Sequence, residues 1–577
     1  MSMRTIRAGL LSGVAAGCLT ATATATAQPP NILFIIADDL NDYIGCMGGH
    51  PQAITPNLDR LAGRGVNFLN AAANYPLCSP SRASLIYGLY PHTVNFPGGL
   101  KNGAVFYDGP HVRGRLNSYI DFFKKADYAV YGAGKIYHNL AAPAGTWYDN
   151  EGKSIYSVPP NWGPFPGSKT MPGGTETSSE KRQYFAQGEF VDMQKDWTAL
   201  PRAPFDHHPK QPTGFNNGVA YASLDEIPIS ADSDGWYLDG KPFRYVSEED
   251  RDLMPDEKAA KYISGLIEKG FDRPFMISFG IGRPHTPLYA PKKYFDLYPL
   301  ETLQMPAGIK QGDISDIAED LGRNRNKPKF RWGKHGFEEY DLLRGYKNGE
   351  GLKEFLQAYL ACISFADAQV GKVLDALEKS PYANNTLIVF TSDNGYHIGE
   401  KEWVFKGSLW EESCRVPLII AGPGVKSGGV CKQPVSLVDL YPTFLDYSGL
   451  TASPHKELGG PELEGYSLRP LLENPQGSWN GPEVSLSVVG NNFDHEYRIR
   501  ADKWAQHYSV RSERYRYIRT ASGQEELYDC ERDPHCWKNL ADEPEMKPVK
   551  EKLFQQMKEL IDRTEPYDIL QCWKKPQ

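Results

Sequence analysis

ILFIIADD, residues 32–39, is a run of six apolar residues that ends in two carboxylates. Continuous apolar runs without polar alternation are typical of strands that are buried on both faces of a sheet. The same form recurs in YAVYGAGKIYH (residues 128–138), FMISFGIGRPH (275–285) and LIVFTSDNG (387–395). The chain therefore contains four candidate core strands, each followed closely by charged, polar or metal-binding side chains.

Helical patterns lie between these runs. TPNLDRLAGRG, residues 55–65, has Thr55 as a candidate N-cap, Pro56 in the first turn and glycines near its end. Strands that alternate with helices predict an α/β fold with a mostly parallel, or mixed, central sheet flanked by helices. In such sheets ligands bind beyond the carboxyl ends of the strands, which is where the four runs deliver their polar side chains. We therefore expect an enzyme.

The chain divides into two parts after its N-terminal segment. Residues 28–480 are interpreted as one catalytic domain, and the Gly-, Pro- and aromatic-rich stretch from about 140 to 255 predicts long loops over its core. Short polar and aromatic strands then appear, such as YSVRSERYRYIRT (508–520), followed by an amphipathic helical pattern at 548–564. Residues 481–577 are thus predicted to form a smaller α+β C-terminal subdomain with a short antiparallel sheet and a helix.

Residues 1–27 have the features of an export signal peptide: Arg4 and Arg7, an apolar run, and small residues up to Ala27. Cleavage there would leave Gln28 at the N-terminus of a periplasmic or secreted protein. An alternative is a lipoprotein signal that anchors the chain through Cys18. No later stretch approaches the ~18 apolar residues of a membrane span, so no membrane span is expected.

Charge and cysteine content exclude several classes of protein. Removal of Arg4 and Arg7 reduces the 63 basic residues to 61, against 71 acidic residues, which gives a net charge of −10. This balance argues against a nucleic-acid-binding protein and gives no reason for attraction to anionic membranes. Eight cysteines remain after the signal, too few for a disulfide scaffold in a chain of this length. The spacing allows Cys530 to pair with Cys536 and Cys414 with Cys431, and establishes neither pair.

Two pairs of oxygen-bearing residues follow predicted strands: Asp38 with Asp39, and Asp393 with Asn394. If both strand ends lie at one sheet edge, the four side chains form a hard oxygen set that suits Ca²⁺ or Mg²⁺ rather than zinc. For each pair alone, helix caps or strand-end polar residues are the favoured interpretation. The presence of both pairs, with histidines and lysines at neighbouring strand ends, favours a metal site, and the charge and number of ligands favour Ca²⁺.

CSPSR, residues 78–82, precedes a predicted helix over ASLIYGLY, with Pro80 near its first turn. Cys78 would then lie at a helix N-terminus, where backbone N–H groups favour anions. The pattern C-x-P-x-R is expected by chance only about 0.02 times in a chain with this many cysteines. The residues themselves leave open whether Cys78 is half of a disulfide, a buried apolar residue or a reactive centre.

This motif resembles the signature of the type I sulfatases, a family of the alkaline phosphatase superfamily in which the motif cysteine is oxidised after translation to formylglycine. The stretches that follow the order usual in that family are ILFIIADDLNDYIG, TPNLDRLAGRGVNF, YGAGKIYH, GRPHTP, TSDNGYHIGEKEWVFKG and VDLYPTFLDYSG. The resemblance covers about residues 31–450, and ELYDCERDPHCWKNLAD is similar to the family's C-terminal subdomain. GKIYH, RPH and GEKEWVFK resemble the iduronate-2-sulfatase-like subgroup. The resemblance implies an alkaline-phosphatase-like fold.

The resemblance also implies that residue 78, converted by a formylglycine-generating enzyme, serves both as nucleophile and as a metal ligand. A hydroxyl of the hydrated aldehyde, held by the cation and Arg82, would attack the sulfur of a sulfate ester. Lys135 and Lys406 would balance the charge on the sulfuryl oxygens.

Four further side chains receive roles from the resemblance. His285 is expected to protonate the departing alcohol, and His138 to take a proton from the second hydroxyl. Arg283 stands where the subgroup often has lysine and is expected to hold a second anionic group, while His397 is expected to contact the substrate. Each of these side chains could by itself be structural. The two histidines of DHHPK (residues 206–210) are interpreted as loop residues.

The chain departs from the family at residues 86–89, where IYGL replaces the common L-T-G-R and removes an arginine that often helps to orient the nucleophile. The implied function is that of an exported sulfatase acting on a sulfated carbohydrate: an algal polysaccharide such as carrageenan or ulvan oligosaccharide, or a glycosaminoglycan. A phosphodiester or phosphonate ester hydrolase is the first alternative. A non-catalytic carbohydrate-binding relative, in which Cys78 stays a thiol, is the second.

Overall fold

A computed structural model describes residues 29–93, 115–138, 158, 163–167, 219–226, 235–238, 241–323, 325, 333–451, 453–490 and 503–563. The predicted signal peptide with Cys18, the two histidines of residues 206–210, and most of the stretch predicted as long loops lie outside these residues. No helix among the described residues is long and apolar enough to cross a membrane.

Strands and helices alternate over most of the described chain. The strands are β1 Asn31–Ala37, β2 Val66–Phe68, β3 Ala71–Ala72, β4 Ala129–Gly134, β5 Phe165–Gly167, β6 Tyr221–Ser223, β7 Gly235–Leu238, β8 Lys241–Phe243, β9 Phe275–Gly280, β10 Leu288–Ala290, β11 Thr386–Ser392, β12 His397–Ile398, β13 Val404–Phe405, β14 Leu418–Ala421, β15 Gly429–Cys431, β16 Val435–Ser436, β17 Ser485–Val489, β18 His507–Arg511, β19 Tyr515–Arg519 and β20 Glu525–Asp529. The α-helices are α1 Pro56–Arg64, α2 Cys78–Tyr87, α3 Tyr119–Lys125, α4 Pro255–Lys269, α5 Lys292–Phe295, α6 Gly333–Gly345, α7 Glu350–Glu378, α8 Glu411–Cys414, α9 Leu440–Tyr447, α10 Arg469–Glu473 and α11 Lys547–Asp562.

A seven-stranded sheet with the order β15-β2-β14-β11-β1-β9-β4 forms the centre of the molecule. The four neighbours β11, β1, β9 and β4 are all parallel, whereas β14 runs antiparallel to β11 and β2. The four strands are those predicted from the apolar runs. The predicted α/β fold with a mixed, mainly parallel sheet is therefore confirmed.

Strand β1 is buried on both faces, as its unbroken apolar sequence predicts. Leu33 and Ile35 point into one hydrophobic cluster, which also contains residues of α4 and α7. Phe34 and Ile36 point into a second cluster with residues of α3 and α9. Helices thus cover both faces of the sheet, and the parallel strand ends form an edge at which a site can be built.

Helix α1 begins at Pro56, as the sequence predicts, but its N-terminus is capped differently from the expectation. The Thr55 hydroxyl makes no capping bond and instead accepts the Gly45 N–H at 2.8 Å. The Asp367 carboxylate on α7 accepts the N–H groups of Asn57 and Leu58 at 3.1 and 2.8 Å. A distant acidic side chain therefore satisfies the free N–H groups that a local cap would otherwise serve.

Strands β17, β18, β19 and β20 form a separate antiparallel sheet, and α11 lies beside it. The first strand of this sheet begins at Ser485. This confirms the smaller C-terminal subdomain that the change in sequence character predicts.

Candidate active site

The ends of four neighbouring parallel strands supply the polar side chains of one buried cluster. Asp38 follows β1, Lys135 follows β4, Asp393 follows β11, and His285 lies five residues after β9. The Asp38 carboxylate forms a salt bridge with Lys135, and the carboxylate of Asp39, two residues after the end of β1, lies 3.8 Å from His285 Nε2. The sheet therefore brings together residues that are up to 355 positions apart in the chain.

Three carboxylates form the acidic part of this cluster. Oxygens of Asp38, Asp39 and Asp393 lie within 4.8 Å of one another, and all three side chains are fully buried. Asn394 donates from Nδ2 to Asp39 Oδ1 at 2.9 Å. Within the described residues, Asp38 Oδ1 and Asn394 Oδ1 are buried and have no hydrogen-bond donor. An all-oxygen donor set with two unsatisfied buried oxygens fits a hard divalent cation such as Ca²⁺.

The pKa values of the carboxyls reflect this crowding. Burial raises the pKa of Asp38, but the charges of Lys135, His285 and Arg82 outweigh it and hold that pKa well below its usual value. Burial raises the pKa of Asp393 to about 7; Arg82 opposes the rise and Asp38 adds to it. Buried carboxylates that raise one another's pKa are stabilised by added positive charge.

Backbone contacts at the end of β1 position Asp39. Its φ is +64°, a left-handed conformation that is costly for a residue with a side chain. The Tyr359 hydroxyl on α7 donates to the Asp39 carbonyl at 2.7 Å and accepts the Asn41 N–H at 3.1 Å. The Asp39 N–H in turn donates to Asp393 Oδ1 at 3.2 Å. No local sequence pattern marks Tyr359, because its contact with Asp39 spans more than 300 residues of the chain.

Cys78 is the first residue of the ten-residue helix α2 and is almost fully buried. Lys406 Nζ lies 3.5 Å from its sulfur and also donates to both carboxylate oxygens of Asp39 at 2.6 and 2.7 Å. Burial raises the pKa of the Cys78 thiol although Lys135 and Lys406 act in the opposite direction. Position 78 is thus aimed at the acidic cluster, but its thiol is not activated as a thiolate.

Arg82 is fully buried one helical turn beyond Cys78. Its Nε donates to Asp393 Oδ2 at 2.5 Å, and its Nη2 donates to the Ala37 carbonyl at 3.1 Å. Its Nη1 donates to the carbonyls of Lys135 and Ile136. Every guanidinium nitrogen is engaged, so Arg82 joins the ends of three strands and neutralises a carboxylate.

The two expected acid–base histidines lie beside this cluster in different environments. His138 is almost fully buried, and neither of its ring nitrogens has a hydrogen-bond partner in the described part of the chain. Burial holds its pKa well below the usual value, so the ring is neutral and can accept a proton. His285 is partly exposed, and its Nδ1 lies 2.5 Å from the Thr286 carbonyl oxygen. Burial, with Lys406, also lowers the pKa of His285 well below its usual value.

A second positioning contact that the sequence did not reveal holds the loop of His285. The Asp256 carboxylate, at the start of α4, accepts the N–H groups of Gly282 and Arg283 at 2.8 and 3.1 Å. It is buried and therefore acts as a fixed anchor for this loop. An acidic residue in a first helical turn is ordinary by itself, which is why the sequence carries no signal for this contact.

The structure places the two remaining predicted substrate contacts in supporting positions. Arg283 is almost fully buried, and its Nε donates to the Tyr289 carbonyl at 2.9 Å. His397 is fully buried; its Nε2 lies 2.8 Å from Ser408 Oγ, and its ring packs near Trp403 and Trp410. Both side chains are thus hydrogen-bonded within the segments that carry the site. Their expected contacts with the substrate stay predictions.

The departure at residues 86–89 is accommodated by packing. Leu89 is fully buried in the same hydrophobic cluster as Ile36 of β1. The carbonyl of Tyr87 accepts a hydrogen bond from His455 Nε2 at 2.8 Å. The position that holds arginine in many relatives is therefore part of the apolar core here.

Comparisons with known proteins relate the chain to the sulfatases. The sulfatase family profile matches residues 30–450, and the profile for N-sulphoglucosamine sulphohydrolase, C-terminal, matches residues 399–563. A sulfatase of Formosa agariphila is 32% identical over 516 residues, which cover 89% of this chain and 83% of that protein. Human iduronate 2-sulfatase is 26% identical, with 78% and 77% of the two chains covered. A solved structure in complex with its substrate D-glucosamine-2-N,6-O-disulfate superposes with a TM-score of 0.62 at 19% identity, covering 93% of this chain and 99% of that one.

Proposed function

Because the chain belongs to the sulfatase family, we propose that this sulfuric ester hydrolase is exported and removes sulfate from a sulfated carbohydrate, with formylglycine at position 78. The observation that carries the proposal is the position of Cys78. It starts a helix, its sulfur lies 3.5 Å from Lys406 Nζ, and oxygen of Asp38 and nitrogen of His285 lie within 4.8 Å of it.

Oxidation of Cys78 would give a nucleophile at a position that lies in the site but carries an unreactive thiol. The buried thiol has a raised pKa and is a poor nucleophile at neutral pH. The hydrated aldehyde made by a formylglycine-generating enzyme supplies a nucleophilic hydroxyl at the same place. The helix N-terminus stabilises negative charge that develops there.

The acidic cluster supports a calcium site, with Mg²⁺ less suited. Asp38, Asp39, Asp393 and Asn394, together with residue 78, would hold the ion. The bound ion supplies charge that balances the carboxylates and polarises a sulfate oxygen. Asp38 Oδ1 and Asn394 Oδ1, which lack donors in the described part of the chain, are the atoms that support this assignment most directly.

Lysines and histidines of this chain account for the remaining chemistry. Lys135 and Lys406, both almost fully buried, would exchange their carboxylate contacts for sulfate oxygens and stabilise charge in the transition state. His285, the partly exposed histidine, would donate a proton to the departing alcohol oxygen, since the anionic sulfate opposes the lowering of its pKa. His138, buried and neutral, would accept a proton from a hydroxyl at position 78.

A sulfated sugar is the proposed substrate. Iduronate 2-sulfatase, one of the relatives, is named for a sulfate ester of a sugar acid, which supports a sulfated sugar as the substrate of this chain. The two proposed sources of such a sugar are a glycosaminoglycan and an algal polysaccharide such as carrageenan or ulvan oligosaccharide. Desulfation of a panel of defined sulfated oligosaccharides, followed by mass spectrometry and NMR, would identify the sugar and the hydroxyl.

The reaction class is tested by comparing an aryl sulfate with an aryl phosphodiester. We expect kcat/KM to favour the sulfate, and we expect Cys78→Ala to reduce it to background. Cys431→Ala, which removes a buried cysteine in β15, serves as the matched control and should retain activity. A clear preference for the phosphodiester, or full activity of Cys78→Ala, would overturn the proposal.

Export is tested separately on the protein from its native host. Terminal sequencing should find Gln28 as the first residue of the periplasmic or secreted form. An acylated Cys18 at the N-terminus would instead show that the protein is a lipoprotein.

A further inference from the structure

Two cysteines of the C-terminal subdomain lie in contact outside the active site. Cys530 directly follows β20, and Cys536 lies six residues later in the turn that leaves the sheet. Their sulfur atoms are 3.4 Å apart. Cys530 is half-buried and Cys536 is buried, so one thiol of the pair is partly open to a reagent.

The backbone of the turn fixes this approach. The Asp533 N–H donates to the Asp529 carbonyl at 2.8 Å, and the Cys536 N–H donates to the Asp533 carbonyl at 2.9 Å. At the start of the turn, the Asp529 carboxylate accepts two bonds from the Arg514 guanidinium, at 2.9 and 2.5 Å. The sulfurs therefore meet because the turn is closed around them, and a covalent bond requires their distance to shorten from 3.4 Å to about 2.05 Å.

The same turn supports a segment of the active site. Lys401, between β12 and β13, donates to the Cys536 carbonyl at 2.5 Å and to Asp313 Oδ1 at 3.1 Å. Its ammonium group also lies 4.8 Å from the ring centroid of Tyr528, and the side chain is almost fully buried. Five residues further on, Lys406 reaches Asp39 and position 78. The turn is thus one of the anchors beneath the segment that delivers this lysine.

We propose that Cys530 and Cys536 form a disulfide in the mature protein, and that this bond holds the turn against the segment of residues 399–406. The bond forms by thiol–disulfide exchange with a disulfide-containing oxidant. Cys530 attacks the oxidant's disulfide and releases one thiol, and Cys536 then displaces the second. The two cysteines lose two protons and two electrons, which leave with the oxidant as two thiols.

The order of these steps follows from the environments of the two sulfurs. A hydrogen bond with the Cys536 thiol lowers the pKa of Cys530, and Arg511 acts in the same direction. The partly exposed Cys530 is therefore the attacking thiolate. This inference rests on the proposed export, because disulfides form and persist in the oxidising environment outside the cytosol.

Peptide mapping of the full-length exported protein tests the bond directly. The protein is alkylated with N-ethylmaleimide and digested with trypsin without reductant; cleavage after Arg532 separates the two cysteines. We expect the peptides Thr520–Arg532 and Asp533–Lys538 to remain joined, at their summed mass less two hydrogen atoms. Alkyl groups on both Cys530 and Cys536 would overturn the proposal. The result does not depend on sulfatase activity.

Reduction of the folded protein tests the effect on the active-site segment. Treatment with a phosphine reductant should lower the Tm by roughly 2–5 °C and increase hydrogen exchange in residues 399–406, and oxidised glutathione should restore both. The double variant Cys530→Ser/Cys536→Ser is the control, and it should not respond to reductant. Unchanged exchange in residues 399–406 after complete reduction would overturn the proposed support of this segment.

Discussion

The buried charges of Arg82 and Lys406 are each paired with a carboxylate of the acidic cluster formed by Asp38, Asp39 and Asp393. Arg82 is paired with Asp393, and Lys406 with Asp39. A buried charge that lost its partner would be costly, commonly by about 3–5 kcal/mol, so these side chains depend on one another. This pairing of opposite charges explains how the site can hold many ionic groups and still be almost fully buried.

Lys406 is predicted to act on catalysis in addition to stabilising the buried carboxylate of Asp39. Lys406→Ala should lower kcat by about 10²–10³-fold, the usual effect of losing one preorganised charge that faces the transition state. Steady-state kinetics with an aryl sulfate measure this change. Lys426→Ala, at an exposed turn, is the control and should leave kcat unchanged. A less than threefold loss of kcat in the Lys406 variant would remove this lysine from the mechanism.

His397 is predicted to act on stability. His397→Gln removes a fully buried ring whose Nε2 is hydrogen-bonded to Ser408, which should cost about 1–3 kcal/mol of folding free energy. We expect a Tm several degrees lower and a KM within about twofold of the original. Thermal denaturation and kinetics on the same preparation check both values. A large rise in KM with an unchanged Tm would restore the substrate contact expected from the sequence.

At the scale of elements, helix α7 does more than cover the sheet. It presents Asp367 to the N-terminus of α1 and Tyr359 to the turn after β1. The helix itself is foreseeable from its length and apolar face, but these two polar contacts are not. Each joins groups more than 300 residues apart, so their pairing is decided by the packing of α7 on the sheet.

Tyr359 is predicted to position Asp39, one of the proposed calcium ligands. Tyr359→Phe removes the hydroxyl that bridges the backbones of Asp39 and Asn41, and should weaken calcium binding by roughly 10–100-fold. Isothermal titration of the metal-free protein with Ca²⁺ measures the affinity without relying on activity.

Tyr382→Phe is the matched control for this prediction. The Tyr382 hydroxyl bridges the N–H and carbonyl of Phe271 in the same manner, at 2.6 and 3.2 Å. Tyr382→Phe should lower the free energy of unfolding by about 1–3 kcal/mol, as Tyr359→Phe does, and leave the calcium affinity unchanged. Equal calcium affinity in both variants would contradict a positioning role for Tyr359.

At the scale of the whole molecule, a buried ionic network joins the catalytic domain to the C-terminal sheet. Glu411 on α8 accepts from Arg516 Nε at 2.6 Å and from Arg511 Nε at 3.2 Å. Nearby, Trp410 Nε1 donates to Glu526 Oε2 at 2.9 Å. The C-terminal subdomain is thus attached directly beside the segment that carries Lys406, and its loss should disturb the site.

Glu411 should make this attachment dependent on pH. Burial would raise its pKa, but Arg511, Arg516 and Arg415 outweigh burial and hold the pKa well below its usual value. A carboxyl whose pKa is depressed by folding contributes stability above its unfolded-state pKa, about 4.3, and loses it as the pH falls through the folded-state value. Glu411→Gln should therefore lower the Tm by several degrees at pH 7. The difference in Tm between this variant and the original protein should narrow progressively below about pH 4.

Thermal denaturation between pH 7 and pH 3 tests this behaviour. Glu473→Gln provides the comparison, because the Glu473 carboxylate pairs with Arg469 at 3.0 Å while both remain well exposed. Exposed pairs contribute about 0–1 kcal/mol, so this variant should show almost no shift at any pH. A Tm gap for Glu411→Gln that stays constant down to pH 3 would show that its ionisation does not stabilise the docking.

The sequence by itself determined the class of fold, the order of the core strands along the chain and the residue types at their ends. The reason is that continuous burial on both faces of β1 requires an unbroken apolar run, and the carboxyl ends of parallel strands meet at one edge. Tertiary structure alone decided which of those side chains meet the acidic cluster and which are hydrogen-bonded elsewhere. Arg82 shows this most clearly, because a buried guanidinium bonds to the carbonyls and carboxylates that packing brings within reach. Its partner Asp393 lies 311 residues away in the chain.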